Sequence, residues 1–175
     1  MLVNIGGQIV DVNKQLMELD KVDCEESLYY FLSEAWRIID ASSWKDGWPI
    51  QAVAEHLEAV GDGQIRYLII NIPPRMGKST ITSVALPAWV WMQPYESHTS
   101  GPGVQFLHAS YAQQLSLRDS VKCRRLITSK WYQDRWQDRF QIVSDQNTKG
   151  RFTNSRGGER LITSIGGVAT GEGGN

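Results

Sequence analysis

A chain of 175 residues and 19.7 kDa has the length of about one domain. Its 41% hydrophobic and 21% charged residues match an ordinary globular protein, which excludes a disordered chain, a collagen-like repeat and a coiled-coil rod. The net charge of −1 hides a gradient: Lys/Arg against Asp/Glu runs 4 to 12 over residues 1–63, 3 to 1 over 64–117, and 11 to 5 over 118–160. A basic rear half suits either polyanion contact or solvated helix faces.

Residues 1–22 carry little signal, and nothing there has the charged and apolar regions of a secretory signal. From Asp23 the pattern turns helical. Asp23 with Glu26 forms a capping-box pair, and Leu28, Phe31, Leu32, Ala35, Trp36 and Ile39 make one apolar stripe. After a loop over Ala41–Trp48, Pro49 suits the first turn of a second helix. Its apolar face is Ile50, Val53, Ala54, Leu57 and Val60, and Gly61-Asp62-Gly63 ends it.

The run Tyr67–Ile72 is apolar and rich in β-branched residues, which predicts a strand buried on both faces, as in a parallel sheet. Pro73-Pro74 stops it. A helix is expected from Lys78, with Pro87 kinking or shortening it. Val104–Ala109 predicts a second buried strand. Ser110 and Gln113 read as another capping-box pair, opening a helix from about Tyr111 to Thr128. Trp131–Arg139 suits a short helix. Phe140–Val143, Arg151–Asn154 and Arg160–Ile165 suit strands. The glycine-rich end, residues 166–175, reads as a flexible connector. No run of about 18 apolar residues occurs, so no membrane-spanning helix is expected. Cys24 and Cys123 have no metal or redox spacing and read as reduced thiols of a cytosolic protein.

The chemical centre is Pro73-Pro74-Arg75-Met76-Gly77-Lys78-Ser79-Thr80. A phosphate-binding loop needs a strand, a tight turn and a helix whose first amides face a phosphate, and each is expected here. Gly77 can adopt the turn's backbone conformation. Lys78 would reach the β- and γ-phosphates, and the Ser79 hydroxyl would meet Mg²⁺. The full eight-residue pattern needs a glycine where this chain has Ile72, so the motif rests on its context. Pro73 and Pro74 have no amide proton, so amides from about Met76 onward must do the holding. Arg75 suits either a cation acting on the γ-phosphate or a structural side chain of the loop.

Residues 73–79 resemble the Pro-Pro-Arg-x-Gly-Lys-Ser loop of tailed-bacteriophage terminase large subunits, the motors that package viral DNA. Other segments resemble that family in order. They are Ser27–Trp36, Trp48–Ile72, Leu107–Tyr111 with the helix that follows, and Gly157–Gly174. The resemblance implies a P-loop ATPase with a RecA-like parallel sheet flanked by helices. It implies Mg-ATP as cofactor and a ring of copies on the capsid portal in the host bacterial cytoplasm. Double-stranded viral DNA, the portal protein and the small terminase subunit are the implied partners. Lys78 and Ser79 take phosphate and Mg²⁺ roles, with Pro74, Arg75, Met76, Gly77 and Thr80 completing the loop. Gln51 is either an adenine contact, as in related ATPases, or an exposed polar residue.

Residues 1–63 are then a helical lead-in, and 64–175 a partial ATPase core. The family's Walker B strand, ending in two acids, and its C-terminal nuclease domain have no counterpart here. A fragment that hydrolyses ATP poorly by itself is therefore expected. Another P-loop ATPase, helicase-like or kinase, and a non-catalytic remnant are the alternatives. Arg118, Lys122 and Arg125 share a helix face and suit DNA phosphates, a neighbouring subunit's nucleotide, or plain solvation.

Overall fold

The computed structural model describes residues 2–5, 8–94, 97–143 and 148–164. The predicted connector at 166–175 lies outside them. Strands β1 (Leu2–Ile5) and β2 (Gln8–Asp11) form an antiparallel hairpin that leads into helix α1 (Val12–Glu26). Asp11 caps this helix, its carboxylate accepting from the Asn13 amide at 3.1 Å. Helix therefore begins well before Asp23, and Asp23 lies inside it. The break falls at Ser27, whose hydroxyl accepts from the Tyr30 amide at 3.2 Å and opens α2 (Leu28–Ile39). A Ser at the break supplies the cap that the Asp23–Glu26 pair was expected to provide.

Helix α3 (Trp48–Gly61) has Pro49 in its first turn and buries Val53, Ala54 and Leu57. The next segment departs from expectation. Residues 67–72 form no strand ladder, and their burial alternates: Leu68, Ile70 and Ile72 are half-buried against the core, while Tyr67 and Ile69 are 84% and 94% exposed. Apolar content predicts a strand but not what lies beside it, and among the described residues nothing covers the second face.

A helical path then runs through α4 (Lys78–Thr80), a π-helical stretch (Ile81–Ala85) and α5 (Leu86–Met92). The Leu86 amide bonds to the Ile81 carbonyl, one residue further back than in an α-helix. Pro87 has no amide hydrogen to give the preceding turn, so the ladder widens where the sequence predicted a kink.

Strand β3 (Gln105–Ser110) is followed by α6 (Gln113–Ile127), α7 (Lys130–Trp136), β4 (Arg151–Thr153) and β5 (Glu159–Ser164). Ser110 does not cap α6; its hydroxyl donates to the Ala112 carbonyl at 2.7 Å. The sheet order is β3-β5-β4, with β3 parallel to β5 and β4 antiparallel to it. The sheet is thus small and mixed. Alternate residues of β3 are exposed and half-buried, so it too is not covered on both faces. The expected strand at Phe140–Val143 contributes only a single bridge, Ile142 to Asn154.

One hydrophobic core joins the lead-in helices to the rest. Phe31 of α2 meets Trp131, Tyr132 and Trp136, and Trp91 of α5 meets Phe106, Phe140 and Phe152. Rings this large dominate the apolar area removed from water, and their polar tips need partners. The Trp91 indole N–H donates to the Val104 carbonyl at 2.8 Å, and the Tyr132 hydroxyl to the Ala88 carbonyl at 2.7 Å. Cys24 and Cys123 are buried and unbridged, and burial pushes both thiols up. Among the described residues no helix is long and apolar enough to cross a membrane.

Candidate phosphate-binding site

Two residues of the loop take left-handed backbone angles: Arg75 at φ 67° and Gly77 at φ 77°. Gly77 adopts this conformation freely, whereas a residue with a side chain rarely does, so Arg75 carries local backbone strain. The turn lets helix α4 begin immediately at Lys78. Pro73, Pro74, Arg75, Lys78 and Ser79 are exposed, and Gly77 and Thr80 are half-buried. These seven residues line a cavity of about 320 Å³, together with Arg118 from α6.

Two further cavities adjoin this one. The first, of about 430 Å³, shares Arg75 and Gly77 with it and adds Met76, Trp36, Trp44, Pro49 and Ile50. Trp36 and Trp44 pack edge to face with ring centres 5.2 Å apart. The Trp36 indole N–H donates to the Ser42 carbonyl at 2.9 Å, which fixes the loop from α2 to α3 beside residues 75–77. By sequence alone Trp36 belongs to a helix stripe and residues 41–48 to a loop. Their use as a cavity wall depends on a long-range approach that spacing does not encode.

The second, of about 370 Å³, shares Lys78, Ser79 and Arg118 and extends past Leu68 and Ile70 to His108 of β3 and Arg160 of β5. Burial, reinforced by the charge of Arg160, pushes His108 down to about 3. Arg160 is fully buried, and the same desolvation lowers its own pKa.

The remaining predicted residues separate. Gln51 is exposed on α3, donates to Glu55 at 2.9 Å, and lines none of these three cavities; its neighbour Ile50 does. Arg118 lines the cavity beside residues 73–80, with its Nε donating to Asp119 at 2.9 Å. Lys122 reaches across to Asp40 at the end of α2, at 3.2 Å. Arg125 is exposed. The shared helix face predicted for these three cations is therefore divided between a cavity rim, an ion pair and solvent. Among the described residues no group of three or more His, Cys, Asp or Glu side chains could hold a metal ion. Ser79 and Thr80 bring hydroxyl oxygens to the loop cavity, and Asp119, already engaged by Arg118, lines the adjoining one.

Compared with protein-family models, curated proteins and solved structures, the chain matches none.

Proposed function

We propose that this chain binds a nucleoside triphosphate with Mg²⁺ and forms the ATP-binding region of a DNA-packaging motor of the terminase type. The observation that carries the nucleotide reading is the left-handed turn at Arg75 and Gly77, which sets Lys78 and Ser79 at the head of a helix and on the wall of one cavity. A triphosphate there would meet the Lys78 ammonium and the amides from Met76 onward. Ser79 would share Mg²⁺ with phosphate oxygens and water, since this ion keeps much of its hydration and favours oxygen ligands. The adjoining cavity with Trp36, Trp44 and Ile50 has the aromatic and aliphatic walls that suit a nucleobase, and it meets the phosphate loop at Arg75 and Gly77. The motor assignment rests on the resemblance of residues 27–175 to terminase large subunits, with double-stranded DNA, portal and small subunit as partners.

Binding of a fluorescent ATP analogue tests the first step. Affinity should fall at least tenfold in Lys78→Ala, and ATP should bind more tightly than inorganic triphosphate because only ATP fills the aromatic cavity. No binding at millimolar nucleotide would refute it. Slow hydrolysis by the chain alone is the result expected of the motor reading, and brisk Mg-ATP hydrolysis without a partner would count against it.

A further inference from the structure

Shared lining residues put the three cavities in a row. The cavity walled by Trp36 and Trp44 meets the 320 Å³ cavity at Arg75 and Gly77. The 320 Å³ cavity meets the 370 Å³ one at Lys78, Ser79 and Arg118, and the outer two have no lining residue in common. The middle cavity thus has two ends, with Arg75 at the aromatic one and Arg118 at the other. Among the described residues its lining holds the cations Arg75, Lys78 and Arg118 and no carboxylate. The Arg118 side chain reaches it from α6 and is 55% exposed, so solvent and solutes have access to it. Its Nε donates to Asp119 Oδ1 at 2.9 Å, and Asp119 is itself buried. A carboxylate anchored in the fold sets the plane of the guanidinium and leaves the hydrogens of Nη1 and Nη2 for a second anion.

We infer that Arg118 is the ligand of the terminal phosphate and so the residue by which the site tells a nucleoside triphosphate from a diphosphate. The inference rests on the nucleotide reading. With the base between Trp36, Trp44 and Ile50, the phosphates run from the Arg75 end past Lys78 toward Arg118. A diphosphate stops one phosphate short of it. The terminal phosphate carries the most charge of the three and offers oxygens that a guanidinium fork matches in pairs. Sequence alone offers Arg75 as the cation for this phosphate. The row of cavities sets Arg75 at the base end instead, so the role passes to a residue 43 positions further along the chain. Asp119 is then a positioning residue, acting through Arg118.

The test is calorimetric titration of the full chain with Mg-ATP and with Mg-ADP, read as the ratio of the two affinities. Loss of folded protein lowers the active fraction for both nucleotides alike, so the ratio reports on Arg118 and not on stability. Wild type should bind ATP at least about tenfold more tightly than ADP, the effect of one charge-assisted pair. In Arg118→Gln the ratio should fall to about threefold or less. Arg118→Lys keeps the charge without the fork and should fall between the two. Asp119→Asn should lower the ratio in the same direction. Arg75→Gln should weaken both nucleotides and keep the wild-type ratio. Arg118→Gln with the wild-type ratio, or a collapse of the ratio in Arg75→Gln instead, would overturn the assignment and leave the nucleotide reading standing. A wild-type chain that binds neither nucleotide at millimolar concentration would overturn both.

Discussion

The Nε2 atom of His108 lies 3.4 Å from the carbonyl oxygen of Thr82, joining β3 to the π-helical stretch that follows α4. The imidazole is buried deeply enough to stay neutral down to about pH 3. In the unfolded chain it titrates near 6.5. As pH falls below about 6.5 the unfolded state takes up a proton that the folded state refuses. The stability associated with the neutral ring is complete above that pH and is lost progressively toward pH 3. We predict that wild type loses up to about 1.4 kcal/mol per pH unit more than His108→Asn between pH 6.5 and 5. Urea denaturation at several pH values measures it, and parallel profiles for the two proteins would disprove it.

Gly77→Ala isolates the backbone cost of the loop. A Cβ there would meet only Ile81 Cδ1 at 4.0 Å, so there is room for the methyl, and the penalty comes from φ 77°. The predicted loss is about 1–2 kcal/mol by urea titration. Arg75→Gly, which relieves φ 67°, should leave stability unchanged or raise it by up to about 1 kcal/mol. A Gly77→Ala protein as stable as wild type would show that the turn is not held in this conformation.

Gly158→Ala meets the opposite situation. Its Cβ would fall 2.1 Å from the Pro102 carbonyl oxygen and 2.5 Å from Asn154 Nδ2. That amide donates to the same Pro102 oxygen at 2.8 Å, while Asn154 Oδ1 accepts from the backbone of Arg156 and Gly158. Backbone cannot retreat as a flexible side chain can. The expected cost is about 3 kcal/mol or more, with broadened tryptophan resonances in NMR spectra because Trp91 borders the same point.

Lys122 is expected to matter less to Asp40 than its ion pair suggests. The Asp40 carboxyl is held down to about 2, chiefly because it accepts from the Ser42 amide and hydroxyl, at 3.0 and 2.9 Å, and only then because of Lys122. In Lys122→Ala a carboxyl titration by NMR should still find Asp40 below the ordinary carboxylate range. Both partners are partly exposed, and the stability change should stay within about 1 kcal/mol. Return of Asp40 to an unperturbed value would contradict this ordering.

Much of the framework was legible in the chain. The stripe from Leu28 to Ile39, Pro49 in a first turn and the helix start at Lys78 all depend on local rules: apolar spacing, proline geometry and a turn glycine. The same rules failed where two solutions compete locally. Asp23–Glu26 and Ser27 both offer caps, and only the packing of α1 and α2 chooses Ser27. Residues 67–72 were read as doubly covered because the run is apolar, yet Tyr67 and Ile69 face outward. Hydrophobicity records a preference for burial, while coverage depends on which other elements arrive.

The site divides in the same way. The residues of the proposed phosphate-binding loop, the conformational freedom of Gly77 and the side-chain types of Lys78 and Ser79 follow from the sequence, because they lie within a few bonds of one another. The tertiary structure alone brings Arg118 from α6 to the loop and sets Trp36, Trp44 and Ile50 around an adjoining cavity. It also buries Arg160 beside His108 with no hydrogen-bond partner among the described residues. A charge count registers Arg160 as one more basic residue of the rear half. Its meaning comes from desolvation, and desolvation is a property of the surroundings that the folded chain supplies.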